Sequence, residues 1–137
     1  MQVRFRDLAP VLLPVALIAL APLGCDDTDE SSVGFTELSV SEAKQLVDST
    51  PGLVIIDVSP YWADGHLPGA VSHPVGDGSL AKAIPTLDKS KAYLVYCHGD
   101  APSIQGAQAL VDAGFSPVYR LKGNFQAWQD AGYPIEK

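Results

Sequence analysis

Basic residues are scarce in this chain. Nine Lys and Arg stand against 16 Asp and Glu in 137 residues, a formal net charge of −7. Nucleic-acid binding needs clustered cations to displace counterions from phosphates, and so acidic a chain argues against it. A small anion is a different matter, because a few backbone N–H groups can hold one locally. Cysteine is rarer still: Cys25 and Cys97 alone, too few for a disulfide framework or a Cys-rich metal site. The three histidines, His66, His73 and His98, are scattered without ligand spacing, so neither a metal nor another cofactor is expected. Room for a second core is also lacking, since about 150 residues per domain is the usual scale. No internal repeat is visible.

What is present divides into unlike segments. Arg4 and Arg6 precede an apolar run from Val11 to Leu23, broken by Pro14 and Pro22. That run is too short to span a bilayer comfortably and has the length of a signal-peptide h-region. It ends Leu23-Gly24-Cys25, which resembles a bacterial lipoprotein signal. The resemblance implies that residues 1–24 are removed and that Cys25 is lipidated. Pro22 departs from the aliphatic residue usual three before that cysteine. An ordinary cleaved signal and an uncleaved anchor are the alternatives. Residues 26–32, Asp-Asp-Thr-Asp-Glu-Ser-Ser, carry four acids and nothing apolar, so residues 25–34 read as a lipidated cysteine followed by a solvated tether. The expected location is the bacterial cell envelope, facing the periplasm or the exterior and touching the membrane through the lipid alone. Loss of residues 1–24 removes Arg4, Arg6 and Asp7 and leaves a net charge of −8. With Cys25 lipidated, Cys97 is the one remaining thiol.

Residues 35–137 read as alternating strands and helices. Strands are predicted at 35–38, 53–58, 70–74, 92–96 and 118–121, and helices at 41–48, 79–84, 103–113 and 124–131. Ser41 and Asn124 serve as N-caps in this reading. Ile104, Ala107, Leu110 and Val111 share one helix face. Nearly continuous β-branched runs such as Leu53–Val58 fit strands covered on both faces. The pattern therefore predicts an α/β domain with a parallel sheet between helices. Ligands of such sheets bind beyond the carboxyl ends of the strands. Cys97 sits at that edge, in the segment Tyr96-Cys97-His98-Gly99-Asp100-Ala101-Pro102-Ser103 between a strand and a helix. A loop there can turn backbone N–H groups and a helix N-terminus toward the sulfur and stabilise a thiolate. A buried, inert cysteine at a strand end is the plainer alternative.

Four motifs then occur in order. Asp57-Val58 ends a strand, Gly65-His66-Leu67-Pro68-Gly69-Ala70 follows, Tyr96-Cys97 opens the loop, and Leu121-Lys122-Gly123 precedes Trp128 and Ala131-Gly132-Tyr133-Pro134. Together they make residues 35–135 resemble the rhodanese-like domain family. The resemblance implies a three-layer fold with a five-stranded parallel sheet flanked by helices. It also implies a sulfurtransferase in which Cys97 carries sulfane sulfur as a persulfide, from a thiosulfate- or persulfide-type donor to a thiophilic acceptor. The partners implied are a small sulfur donor and a thiol acceptor or a protein. Residues 98–103 (His98, Gly99, Asp100, Ala101, Pro102, Ser103) would form the active-site loop, with Asp57, Ser59 and His66 supporting the pocket. His98 can pair with the thiolate, and His66 reads as a loop brace.

The departures are informative. Pro102 and Asp100 replace the Arg and Gly common five and three residues after the cysteine, and no Lys or Arg lies between Cys97 and Arg120. Ser59 replaces a frequent Arg, Tyr61 a frequent Glu, and Asn124 a usual Gly. A charge-assisted contact is worth roughly 1.5–3 kcal/mol, so a donor anion would bind about ten- to a hundredfold more weakly. At about 5 Å and an effective dielectric near 20, Asp100 would oppose a thiolate by about 3 kcal/mol if it points inward. A helix N-terminus returns only about 0.3–2 kcal/mol. Two rival functions stay open on these grounds: a non-catalytic binding module, and a thiol redox sensor. A phosphatase of this fold needs an arginine to hold the phosphoryl group, and residues 101–106 contain none.

Overall fold

The computed structural model describes residues 34–137. The signal, Cys25 and the tether lie outside the described residues, except Gly34. Five strands and four helices alternate: β1 (Thr36–Leu38), α1 (Val40–Ser49), β2 (Val54–Asp57), β3 (Val71–Ser72), α2 (Ser79–Ala83), β4 (Tyr93–Tyr96), α3 (Asp100–Asp112), β5 (Val118–Leu121) and α4 (Asn124–Asp130). The strands form one parallel sheet in the order β1-β5-β4-β2-β3. The expected α/β architecture with a five-stranded parallel sheet is the observed one.

Strand periodicity divides the core into two layers. Ile55, Leu94, Tyr96 and Leu121 point to one face, where Ala43 of α1 and Phe125 and Trp128 of α4 cover them. Ile56, Val95 and Val118 point to the other, against Leu80 of α2 and Ala107 and Leu110 of α3. Successive residues of one strand therefore feed opposite layers, which is why these strands are apolar on both faces apart from Asp57 in β2 and Arg120 in β5. All four residues of β4, in the middle of the sheet, are buried.

Three helix starts differ in position or capping from the sequence reading, beside shifts of a residue or two at other element ends. Ser39, not Ser41, caps α1: its Oγ accepts from the Glu42 N–H, and the Glu42 carboxylate accepts from the Ser39 N–H, which completes a capping box. Helix α3 begins at Asp100 rather than Ser103, after extended Gly99. Pro102 thus sits in the first turn, where backbone N–H groups have no helical partner and proline does no harm. The buried face of α3 differs as well: Ser103, Gly106, Ala107 and Leu110 are buried, while Ile104 lies exposed. Finally, Asn124 does not cap α4. Gly123 precedes the helix at φ 81°, and Asn124 itself is left-handed, at φ 57°.

Candidate active site

Cys97 follows the last residue of the central strand and is 3% exposed. Both of its backbone groups are taken up by the start of α4. Its N–H donates to Asn124 Oδ1 at 3.2 Å, and its carbonyl accepts from the Phe125 N–H at 3.0 Å. The left-handed backbone of Asn124 turns its side chain toward the loop rather than along α4. Glycine would tolerate this conformation without strain, and asparagine is among the few other residues that adopt it readily.

Asp100 is settled by its partners. Its carboxylate accepts from Arg120 Nη1 at 3.0 Å and from Asn124 Nδ2 at 2.9 Å, although the side chain is 68% exposed. The Arg120 hydrogen bond, opposed by some desolvation and helped by Asn124 and by the charges of Arg120 and Lys122, holds this carboxyl below its ordinary value. Asp100 is therefore an ionised and paired group at the solvent edge of the loop. Ser103 Oγ donates to the Asp100 carbonyl at 2.9 Å and lies 2.9 Å from Arg120 Nη1, which donates to it.

Arg120 escaped the sequence reading. It lies on β5 at 3% exposure and donates to Glu37 through Nε, at 2.9 Å, and through Nη2. Glu37 of β1 faces it in strand register. The available signal was a charge inside the otherwise apolar strand Val118–Leu121, since a buried guanidinium requires acceptors.

Asp57, Ser59 and His66 brace the surroundings. Asp57 is fully buried and accepts from the Ser59 N–H at 2.8 Å and from the Tyr96 hydroxyl at 3.1 Å. Tyr96 in turn accepts from the Leu67 N–H at 3.0 Å, tying β4 to the Gly-His-Leu-Pro turn. Burial, then the Asp57 charge, pushes the Tyr96 hydroxyl well above its ordinary range, so it stays a donor. Ser59 Oγ accepts from the Tyr61 N–H at 3.2 Å. His66 stacks on Trp62 at 3.5 Å between ring centres and donates from Nδ1 to the Trp62 carbonyl. His98 packs between Phe125, 4.7 Å away, and Tyr61, 5.3 Å away. Its Nε2 has no hydrogen-bond partner among the described residues, so a pairing with Cys97 is not made through that atom. No group of three or more potential metal ligands occurs among the described residues.

The profile of the rhodanese-like domain matches residues 39–131. The chain belongs to the rhodanese-like domain family. Rhodanese-like relatives include a thiosulfate sulfurtransferase GlpE of Actinobacillus pleuropneumoniae serotype 7. It is 34% identical over 107 residues, which cover 74% of this chain and 94% of the relative. Among solved structures, the Alr3790 protein from Anabaena sp. matches with a TM-score of 0.64 and 32% identity, covering 72% of this chain and 80% of that one. A thiosulfate sulfurtransferase from Pseudomonas aeruginosa matches with a TM-score of 0.63 and 30% identity, covering 74% of this chain and 20% of that one. The fold anticipated from the four motifs is thus the rhodanese-like one.

Proposed function

We propose that this rhodanese-like protein is a sulfurtransferase that carries sulfane sulfur on Cys97. The observation that carries the reading is Cys97 at the carboxyl end of the central strand, at the mouth of a strand-to-helix loop and ahead of the N-terminus of α3. In the first half-reaction the Cys97 thiolate attacks the outer sulfur of the donor. A new S–S bond forms, the donor's own S–S bond breaks, and sulfite or a thiolate leaves with the electron pair. Cys97 then holds a persulfide anion. An acceptor thiolate attacks the terminal sulfur, takes it as a new persulfide and regenerates the Cys97 thiolate. Residues 98–103, which are the short loop His98-Gly99 and the first turn of α3, form the segment that receives the charge. Its free N–H groups in the first turn of α3 supply partial positive charge. Asp57, Ser59 and His66 support the pocket walls.

The donor class follows from where the cations are. Arg120 spends its hydrogen bonds on Glu37, Asp100 and Ser103, so no guanidinium among the described residues is left to bind a dianion. A low-molecular-weight persulfide, with a singly charged sulfur, suits this loop better than thiosulfate. Incubating protein lacking residues 1–25 with thiosulfate or glutathione persulfide, followed by mass spectrometry of the Cys97 peptide, tests both points. One added sulfur atom is expected from the persulfide and much less from thiosulfate. No added sulfur from either would end the sulfurtransferase reading and leave a binding module.

The same proposal places the domain outside the cytoplasm on a lipid carried by Cys25, with residues 26–34 as spacer. Mass spectrometry of the membrane-extracted chain should find an N-terminal, lipid-modified Cys25. An intact Met1 or an unmodified N-terminus would refute the anchor.

A further inference from the structure

The loop lacks its own arginine, yet one guanidinium lies behind it. A hydrogen-bonded chain runs from Glu37 on β1 through Arg120 on β5 to Asp100 on α3, then through Asn124 on α4 to the Cys97 amide. Chemistry fixes the direction of every link. A carboxylate can only accept and the Cys97 N–H can only donate, so the Asn124 amide must present Nδ2 to Asp100 and Oδ1 to Cys97. Arg120 is buried, while the carboxylates of Asp100 and Glu37 lie toward solvent. Its charge is the compensation for two acids beside the loop.

We propose that Arg120 is a positioning residue for Cys97: it neutralises Asp100 and, through Asp100 and Asn124, holds the loop in the form that stabilises the thiolate. This rests on the sulfurtransferase reading for its biological meaning. Two observations carry it. The residue that replaces a loop glycine, Asp100, and the residue that replaces a helix-start glycine, Asn124, touch each other, and Arg120 binds the first of them. Without Arg120, Asp100 would place an uncompensated negative charge within three hydrogen-bonded residues of the sulfur, and a like charge disfavours a thiolate. The other charged or titratable groups around the loop are few. Glu37 faces Arg120 from β1, Asp57 and Tyr96 bond each other beneath it, His98 and Tyr61 pack above it, and Lys122 acts on Asp100 from the end of β5.

The test uses the full chain in detergent and follows iodoacetamide alkylation of the Cys97 peptide against pH. In Arg120→Met the midpoint of alkylation should rise by about one pH unit, slowing the reaction near neutrality about tenfold. In Arg120→Met/Asp100→Asn it should return to the native midpoint, because the charge that Arg120 compensated is gone. A merely structural role predicts the double variant to be as displaced as the single one, and that result overturns the proposal. Asp100→Asn alone changes a side chain that is largely solvent-exposed and leaves an amide oxygen that can still accept from Arg120 and Asn124, so it keeps the proposal testable if Arg120→Met does not fold. It should lower the midpoint, since Arg120 then carries charge no longer shared with Asp100. An unchanged or raised midpoint there also overturns the proposal. Alkylation requires no sulfur transfer, so a native protein that takes up no persulfide sulfur would refute the function without touching this result.

Discussion

Replacing Asn124 separates what its backbone costs from what its side chain contributes. The residue is 4% exposed, left-handed at φ 57°, and bonded through both ends of its amide. Asn124→Gly removes both bonds. The buried Cys97 N–H is orphaned, which costs about 1–3 kcal/mol, and the lost bond to the exposed Asp100 adds about 0.5–1 kcal/mol. Glycine relieves the left-handed strain but gains freedom in the unfolded chain, and these offset within about 1 kcal/mol. A net loss of about 2–3 kcal/mol follows. Asn124→Ala loses the same bonds and keeps an unfavourable left-handed Cβ, so it should be about 1 kcal/mol worse again. For a folded unit near 100 residues each kcal/mol moves the thermal midpoint by about 4–8 °C, so native, Gly and Ala proteins should separate clearly. Urea titration at pH 7 gives the free energies directly. An Asn124→Gly protein as stable as the native one would refute the claim that the side chain holds the loop. Equal stability of the Gly and Ala variants would refute the claim of backbone strain.

Cys97→Ser should abolish persulfide formation in the donor assay while leaving the thermal midpoint within a few degrees, because a hydroxyl fits the same space. Tyr96→Phe should cost about 2–5 kcal/mol in urea titration, since it strands Oδ2 of the buried Asp57 carboxylate, whose Oδ1 keeps the Ser59 N–H, and the Leu67 N–H at once. The raised hydroxyls of Tyr96 and Tyr93 are fully protonated in both states below their ordinary value of 10, and stability should fall as pH rises above it. In Tyr96→Phe that alkaline fall should be shallower. Asp100 has the opposite sign: its depressed carboxyl contributes stability above 3.8, lost as pH drops below that value, so the urea midpoint of Asp100→Asn should respond less to acid between pH 5 and 2. Gly123→Ala should lose about 1–3 kcal/mol, because φ is 81° and a Cβ there would lie 2.7 Å from the Ala127 methyl. Unchanged thermal stability of that variant would contradict the packing described.

The parts of this fold that could be read from residues are those governed by burial and local pattern. Val54–Asp57, Tyr93–Tyr96 and Val118–Leu121 are mostly apolar because each serves two layers, and that leaves a plain trace despite Asp57 and Arg120. Cys97 was legible as a strand-end loop residue for the same reason. The start of α3 was obscured by Gly99 and Pro102, which read as loop, although a proline in a first helical turn obstructs nothing. Ser39 and Ser41 compete for one cap, and the decisive Glu42 lies at the right distance from Ser39 alone. Asn124 was misread because asparagine is a common cap, and its true partners come from residues 97 and 100. Arg120 joins acids 83 and 20 positions away, a relation that exists only after the sheet forms.

The two backbone bonds between Cys97 and the start of α4 bear on how the site can open. Freeing the loop means undocking that helix, which withdraws Phe125 and Trp128 from the core. Each large side chain costs about 1.5–3 kcal/mol to expose, so local opening approaches the cost of unfolding the domain. Amide hydrogens of Cys97 and Phe125 should then exchange with solvent among the slowest in the protein. The sulfur is held on a fixed post instead of a swinging arm, so under the proposed sulfur transfer an acceptor must come to it. A small thiol, or a protein that presents its own thiol on a projecting segment, meets that demand.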